Sequence, residues 1–215
     1  MIPEFRILRM KPSNTNSVLI ELDGRAVIID PWGSAHDWLK LLDEYNLALH
    51  GVYCTHGHYD HISAIPKLFG GQGRAVASGE GGWHLHPDDL PIIKWSNPIL
   101  FMQGYGQINL DKNPPKPIVA GMHEIFPGVN CEIIHAPGHS AGSVVFNFGT
   151  HLIVGDTVFQ ESYGRTDLPT GCDATMRKTL ADLAARNFPD DTVVIHGHGP
   201  DTTIKYLREN NPFFK

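Results

Sequence analysis

The sequence predicts an α+β fold built from two runs of strands, each with helices outside it, and three observations carry that expectation. Short apolar stretches rich in Val and Ile recur in both halves of the chain, bounded by Asp, Asn, Gly and Pro. Two longer stretches, 35–46 and 173–187, instead repeat their apolar residues every three or four positions. Clusters of His and Asp stand directly after several strands, where side chains can converge at one sheet edge.

Taken in order, residues 5–10 alternate apolar and basic side chains and read as a strand. Residues 16–22 and 25–30 read as a hairpin, because Asp23-Gly24 between apolar runs is a strong two-residue turn. Ser34 is expected to cap a helix over 35–46, with Trp38, Leu41, Leu42 and Tyr45 on its core face. A buried strand, 49–54, then runs into Thr55-His56-Gly57-His58-Tyr59-Asp60-His61. A short helix follows over 61–69, ended by Gly70-Gly71-Gln72-Gly73, and then a strand over 74–77.

Residues 78–117, punctuated by Gly and Pro, read as a long irregular loop that would form a lid or one wall of a pocket. Within it, Trp83-His84-Leu85-His86-Pro87 repeats a His-x-His spacing. No carboxylate–His pair follows, so it reads as a polar loop anchored by its Trp. The second half gives strands at 131–135, 143–148 and 151–154, the last two joined through Gly149-Thr150. After an irregular loop, 159–171, Asp173 is expected to cap a helix reaching 187, with Met176, Leu180, Leu183 and Ala184 inward. A strand at 192–196 and a helix at 203–209 close the chain.

With 215 residues, 41% of them hydrophobic and 19% charged, the chain can bury one sizeable core, and a single domain over 1–215 is expected. A formal net charge of -6 argues against a nucleic-acid partner, since phosphate binding needs clustered Lys and Arg. No apolar run is long enough to span a bilayer, and the N-terminus lacks the pattern of a secretory leader. A cytoplasmic protein acting on a small molecule, with no membrane partner, is therefore expected. Cys54, Cys131 and Cys172, odd in number and widely spaced, suit reduced thiols.

The stretch from Thr55 to His61 carries the chemistry. Imidazole and carboxylate are the ligands that suit Zn²⁺, Mn²⁺, Fe²⁺ or Co²⁺. Placing them at the end of an apolar strand is costly unless a cation pairs with them. The pattern Thr-His-x-His-x-Asp-His resembles the signature of the metallo-β-lactamase fold superfamily, matching it at every fixed position. That resemblance implies an αβ/βα four-layer sandwich, two mixed β-sheets flanked by helices. It implies further ligands in later loops: His139 in Ala136-Pro137-Gly138-His139-Ser140, Asp156 in Gly155-Asp156-Thr157, and His198 in Gly197-His198-Gly199-Pro200. His56, His58 and His139 would hold one divalent ion and Asp60, His61 and His198 a second, with Asp156 between them. Zinc is the first expectation and manganese or iron the next.

Such a pair of ions suits hydrolysis by a metal-bridging hydroxide, with Asp60 orienting it. The segment Gly164-Arg165-Thr166-Asp167-Leu168-Pro169, with His196-Gly197-His198-Gly199-Pro200, resembles the short glyoxalase II-like hydrolases. These are thioesterases of the hydroxyacylglutathione hydrolase type without the extra C-terminal helical domain of the longer enzymes. Arg165 would then help to bind substrate, and Trp32, in Asp30-Pro31-Trp32-Gly33, would narrow the pocket. The rivals within the fold are a persulfide dioxygenase, using one iron on His56, His139 and Asp156, and a metal-dependent lactonase or esterase. A binding protein that has lost catalysis is disfavoured by the intact ligand set.

Overall fold

The computed structural model describes residues 3–10, 13–69 and 81–215. Among the described residues, six strands form a first mixed sheet: β1 (Glu4–Met10), β2 (Thr15–Leu22), β3 (Arg25–Ile29), β4 (Ala48–Tyr53), β5 (Trp83–Leu85) and β6 (Lys116–Pro117), paired in that order. The pairs are antiparallel up to β3 and parallel from β3 onwards. Parallel neighbours need a crossover, which α1 (Ala35–Glu44) supplies between β3 and β4. The second sheet takes β7 (Gly121–Phe126), β8 (Val129–His135), β9 (Val144–Asn147), β10 (His151–Gly155), β11 (Val193–His196) and β12 (Thr202–Thr203). Its pairs are antiparallel except β10 with β11.

Successive strand residues point to opposite faces, so each strand feeds two cores. Val18, Ile20, Val27 and Ile29 of the first sheet share a core with Cys131, Ile133, Val144, Phe146 and Ile153 of the second. Their alternates Leu19, Ala26 and Ile28 pack instead against Trp38 and Leu42 of α1. The same cluster takes in Ile65 and Leu68 of α3 (Ile65–Phe69) and Ile93 and Leu100 of α4 (Leu90–Met102). On the other side Ile134, Val145, Leu152 and Val154 meet Met176 and Leu180 of α5 (Asp173–Ala184) and Leu207 of α6 (Ile204–Asn210). Three apolar layers thus separate helices, sheet, sheet and helices, the four-layer order the resemblance implies.

The hairpin turn at Asp23 and Gly24 has φ of 52° and 73°, the left-handed pair that matches strand twist. Ser34 caps α1 by accepting from the Asp37 N–H. Tyr45 departs from expectation: it is 44% exposed, beyond the end of α1, with the Arg6 guanidinium 4.5 Å from its ring centre. At α5 the capping position belongs to Cys172, and Asp173 is the first helical residue, its carboxylate bonded by Tyr163 and Arg177. The helix expected over 61–69 is two short ones, α2 (Tyr59–Ile62) and α3. β7 was not anticipated.

The largest correction concerns 78–117. Its described part, from 81, carries β5, a 3₁₀ turn at Pro87–Asp89, the thirteen-residue α4 and β6, and 103–115 stays irregular as expected. Pro91 lies in the first turn of α4, where an N–H has no intrahelical partner to lose. Pro98 lies inside the helix on its exposed side. Burial of Ile92, Ile93 and Leu100 then outweighs the poor helix propensity of the prolines. Trp83 is buried and donates to the Asn113 carbonyl at 3.1 Å. The glycine stop at 70–73, the strand expected over 74–77 and the first residues of the irregular segment, 78–80, fall outside the described residues.

Candidate metal centre

Asp30 fixes the start of the ligand stretch. It ends β3 in a left-handed conformation, φ 53°, with 1% of its surface exposed. Its Oδ1 accepts from the Thr55 backbone N–H at 2.7 Å, and its Oδ2 accepts from Thr55 Oγ1 at 2.7 Å and His61 Nδ1 at 2.8 Å. Thr55 Oγ1, its own proton committed to Asp30, accepts from His56 Nδ1 at 2.9 Å. Farther along, His139 Nδ1 donates to the Arg165 carbonyl at 2.7 Å. In His56, His61 and His139 the outer nitrogen is thus occupied and Nε2 is left to face inward, the arrangement that metal-bound imidazoles use.

β8, β10 and β11 run in one direction, so the loops that follow them leave the second sheet at one edge. There the start of β9 meets the loop after β4, Val144 N–H donating to the Thr55 carbonyl at 2.9 Å, and the loop after β11 meets the start of β2, Asn16 N–H donating to the Gly197 carbonyl at 2.7 Å. All seven expected ligand residues converge. His56, His58 and His139 offer nitrogen atoms within 4.8 Å of one another, as do the ligand atoms of Asp60, His61 and His198 and those of His56, His61 and Asp156. His58 turns Nδ1 inward, 2.8 Å from His139 Nε2.

Asp156 joins the groups. Its Oδ1 lies 3.5 Å from His61 Nε2, while its Oδ2 lies 3.6 Å from both His139 Nε2 and His198 Nε2. Asp60 Oδ2 stands 3.2 Å from His198 Nε2. Position 197 has to be glycine for this approach, since a Cβ there would run into Asp156 Oδ1 and His61.

Burial pushes His56 and His58 towards the neutral form, His58 to about 3, with the neighbouring imidazoles adding to the effect. Burial acts the same way on His61 but is outweighed by Asp30, Asp156 and Asp60, which raise it to about 10. In Asp60 burial opposes ionisation, yet His61 and His198 hold the carboxyl well below the usual carboxylate range. His56 Nε2, His61 Nε2 and Asp156 Oδ1 are buried with no hydrogen-bond partner. Such orphaned groups cost about 1–3 kcal/mol each. A divalent cation in each half would satisfy them, and the donor set of imidazoles and carboxylates fits one. The His–Asp cluster can thus hold two ions.

Two expected site residues do not join the cluster. Trp32 is 1% exposed, packed against Tyr59 and Tyr105 with ring centres 6.3 and 5.3 Å away, so it is core rather than a pocket wall. Arg165 points its guanidinium at Asp167 through two 2.7 Å bonds, and a substrate carboxylate would have to displace that partner. Its backbone carbonyl, holding His139, is what reaches the centre. A groove of about 490 Å³ opens beside His198, between Phe159, Ser162, His196 and Pro200. His86 and His135 stack with ring centres 4.4 Å apart and 7° between planes. Parallel rings at that spacing cannot both aim in-plane lone pairs at one ion, so with Asp88 they make a poor chelate.

Sequence reasoning missed the part played by Asp30 and Asp89, and gave Thr55 a place in the motif without a task. Asp89, fully buried, accepts from the backbone N–H groups of Gly57 and Gly142 and from Ser140 Oγ. Burial raises its pKa, and those three donors pull it back. For Asp30 the one signal is a carboxylate ending an apolar strand; for Asp89 there is none.

Residues 10–198 match the family described as the Metallo-beta-lactamase superfamily. Hydroxyacylglutathione hydrolase GloC of Haemophilus influenzae is 32% identical over 203 residues, covering 92% of this chain and 91% of that protein. The probable metallo-hydrolase YqgX of Bacillus subtilis is 27% identical, covering 98% of this chain and 97% of its own. Among solved structures, TTHA1623 in a di-iron-bound form superposes with a TM-score of 0.79 at 30% identity, covering 97% of this chain and 99% of that one. Because the match covers well over half of the chain and takes in every residue of the His–Asp cluster, the chain belongs to the metallo-beta-lactamase superfamily.

Proposed function

We propose that this protein is a dinuclear-metal hydrolase of the glyoxalase II type, which cleaves hydroxyacyl thioesters such as those of glutathione. The observation that carries the reading is Asp156, whose Oδ2 lies 3.6 Å from His139 Nε2 of one half and from His198 Nε2 of the other, while its Oδ1 faces His61. The likeness to GloC supports the thioester substrate. A small molecule, rather than nucleic acid or a membrane, is the partner this reading requires, in keeping with the net charge of -6.

His56, His58 and His139 would hold one ion and Asp60, His61 and His198 the other, with Asp156 shared; zinc is the metal proposed. Bound there, the ions supply Lewis acidity towards a carbonyl oxygen and lower the pKa of water towards about 7. The chain does the orienting. Asp60, kept ionised beside His61 and His198, offers Oδ2 as the acceptor that aligns the attacking water. Oxygen from water joins the acyl carbon, the carbon–sulfur bond breaks, and a proton passes to the departing sulfur. The groove beside His198 lies where the leaving thiol can extend.

Elemental analysis of the unchelated protein, followed by a hydroxyacyl-glutathione hydrolysis assay, tests the reading. Two ions per chain with thioester cleavage support it. One iron per chain with oxygen consumption would replace it by the persulfide dioxygenase, and cleavage of lactones or esters alone would replace the substrate class.

A further inference from the structure

We propose that Asp89 is a positioning residue for one half of the metal centre, clamping the loop that carries His56 and His58 to the loop that carries His139. The inference rests on the metal-binding reading above and goes beyond it, because Asp89 is no ligand and lies outside every ligand motif.

The carboxylate has no surface exposure. Oδ2 accepts from the Gly57 N–H at 2.7 Å and from Ser140 Oγ at 2.8 Å, while Oδ1 accepts from the Gly142 N–H at 2.6 Å. Gly57 sits between His56 and His58, and Ser140 follows His139 directly. One ionised group therefore ties together the two loops that supply all three nitrogens of this half, through bonds of the charge-assisted kind.

Two further observations point the same way. Asp89 closes the 3₁₀ turn that runs directly into α4, and its side chain makes no bond to the first N–H groups of that helix. Its oxygens are turned to the ligand loops instead. Both loops are also glycine where they meet it: a Cβ at Gly142 would lie 2.7 Å from Asp89 N and 2.8 Å from its carboxylate, and one at Gly57 would lie 3.2 Å from the Asp89 carbonyl. The other half has its own buried carboxylate, Asp30, on His61. Among the described residues Asp89 makes no hydrogen bond to Asp60, His61 or His198 themselves, so its removal should weaken the His56–His58–His139 half first.

The test loads the full chain and the variants Asp89→Ala, Asp89→Asn, Gly142→Ala and Leu100→Ala with zinc, then measures zinc per chain in competition with a chelator. Histidine nitrogen NMR reports which half has lost its ion, and melting of the metal-free proteins reports stability. Two zinc ions are expected in the wild type and one in Asp89→Ala and Gly142→Ala. The His56–His58–His139 half should bind about 10–100-fold more weakly, the usual effect of removing an outer-shell partner. Asp89→Asn, isosteric but forced to set its amide NH₂ against the Gly57 or the Gly142 N–H, should also weaken zinc binding in this half and carries the test should the alanine variant not fold. Leu100→Ala, a buried apolar deletion on the same helix, should melt earlier yet keep two ions. Wild-type zinc affinity in the Asp89 variants overturns the clamp and leaves the metal reading standing. Equal zinc loss from Leu100→Ala overturns it by assigning the effect to general destabilisation, and a wild type that binds no zinc overturns both readings.

Discussion

Replacing Asp30 by Asn keeps the shape of a buried side chain and turns one acceptor oxygen into a donor. The bond from the Thr55 backbone N–H, 2.7 Å in the native protein, holds the remaining oxygen in place, because that N–H can do nothing but donate. The new amide NH₂ then faces Thr55 Oγ1 and His61 Nδ1, which lie 2.7 and 2.8 Å from the oxygen it replaces. Thr55 can rotate its proton away. His61 escapes a donor–donor contact only by moving its own proton from Nδ1 to Nε2, the nitrogen it offers to the centre. A protonated Nε2 cannot ligate. The expected cost is about 10–100-fold in affinity for the ion of the Asp60–His61–His198 half, or about 1.4–2.7 kcal/mol. Chelator competition measures the affinity, and nitrogen NMR of His61 reports the tautomer. Native affinity with the proton still on Nδ1 would refute the reasoning.

Asp60→Asn should retain the fold and lower kcat by about 10²–10⁴-fold, the range for a lost general base, with metal content measured alongside. Near-normal turnover with both ions bound would remove Asp60 from its role. Chelation should lower the melting temperature by exposing the partnerless His56 Nε2, His61 Nε2 and Asp156 Oδ1, and ions at a hundred times Kd should restore about 2.7 kcal/mol. A melting curve indifferent to chelator would contradict the fit of cations to these atoms. Tyr53, whose hydroxyl donates to the Ile125 carbonyl at 3.1 Å, has its pKa pushed up to about 12 by burial, with Cys131 adding to it. Its folded value lies above the unfolded value of about 10, so its contribution is complete below pH 10 and disappears as pH rises through 12. Urea unfolding of Tyr53→Phe should therefore show a shallower loss of stability across that window than the native protein does.

The sequence by itself offered the candidate ligands and the places where the chain must turn. His56, His58, Asp60 and His61 are packed into six positions, and His139, Asp156 and His198 each follow a strand, so their chemistry and their edge position are local patterns. The hairpin at Asp23-Gly24 and the cap at Ser34 are local for the same reason. Where a side chain points once the sheets have closed is not local. Tyr45 lies under Arg6 of β1, and Trp32 is sealed in by Tyr59 and Tyr105. α4 forms despite Pro91 and Pro98 because its buried face meets the core of the first sheet, which no count of prolines reveals. Asp30 reaches His61 across 31 positions, and Asp89 reaches Gly57 and Gly142 across 32 and 53. A buried carboxylate is tolerable only where donors converge on it, and only the packed sandwich brings those donors together. The candidate ligands were therefore legible in the chain, while the supports that aim them were decided by tertiary structure.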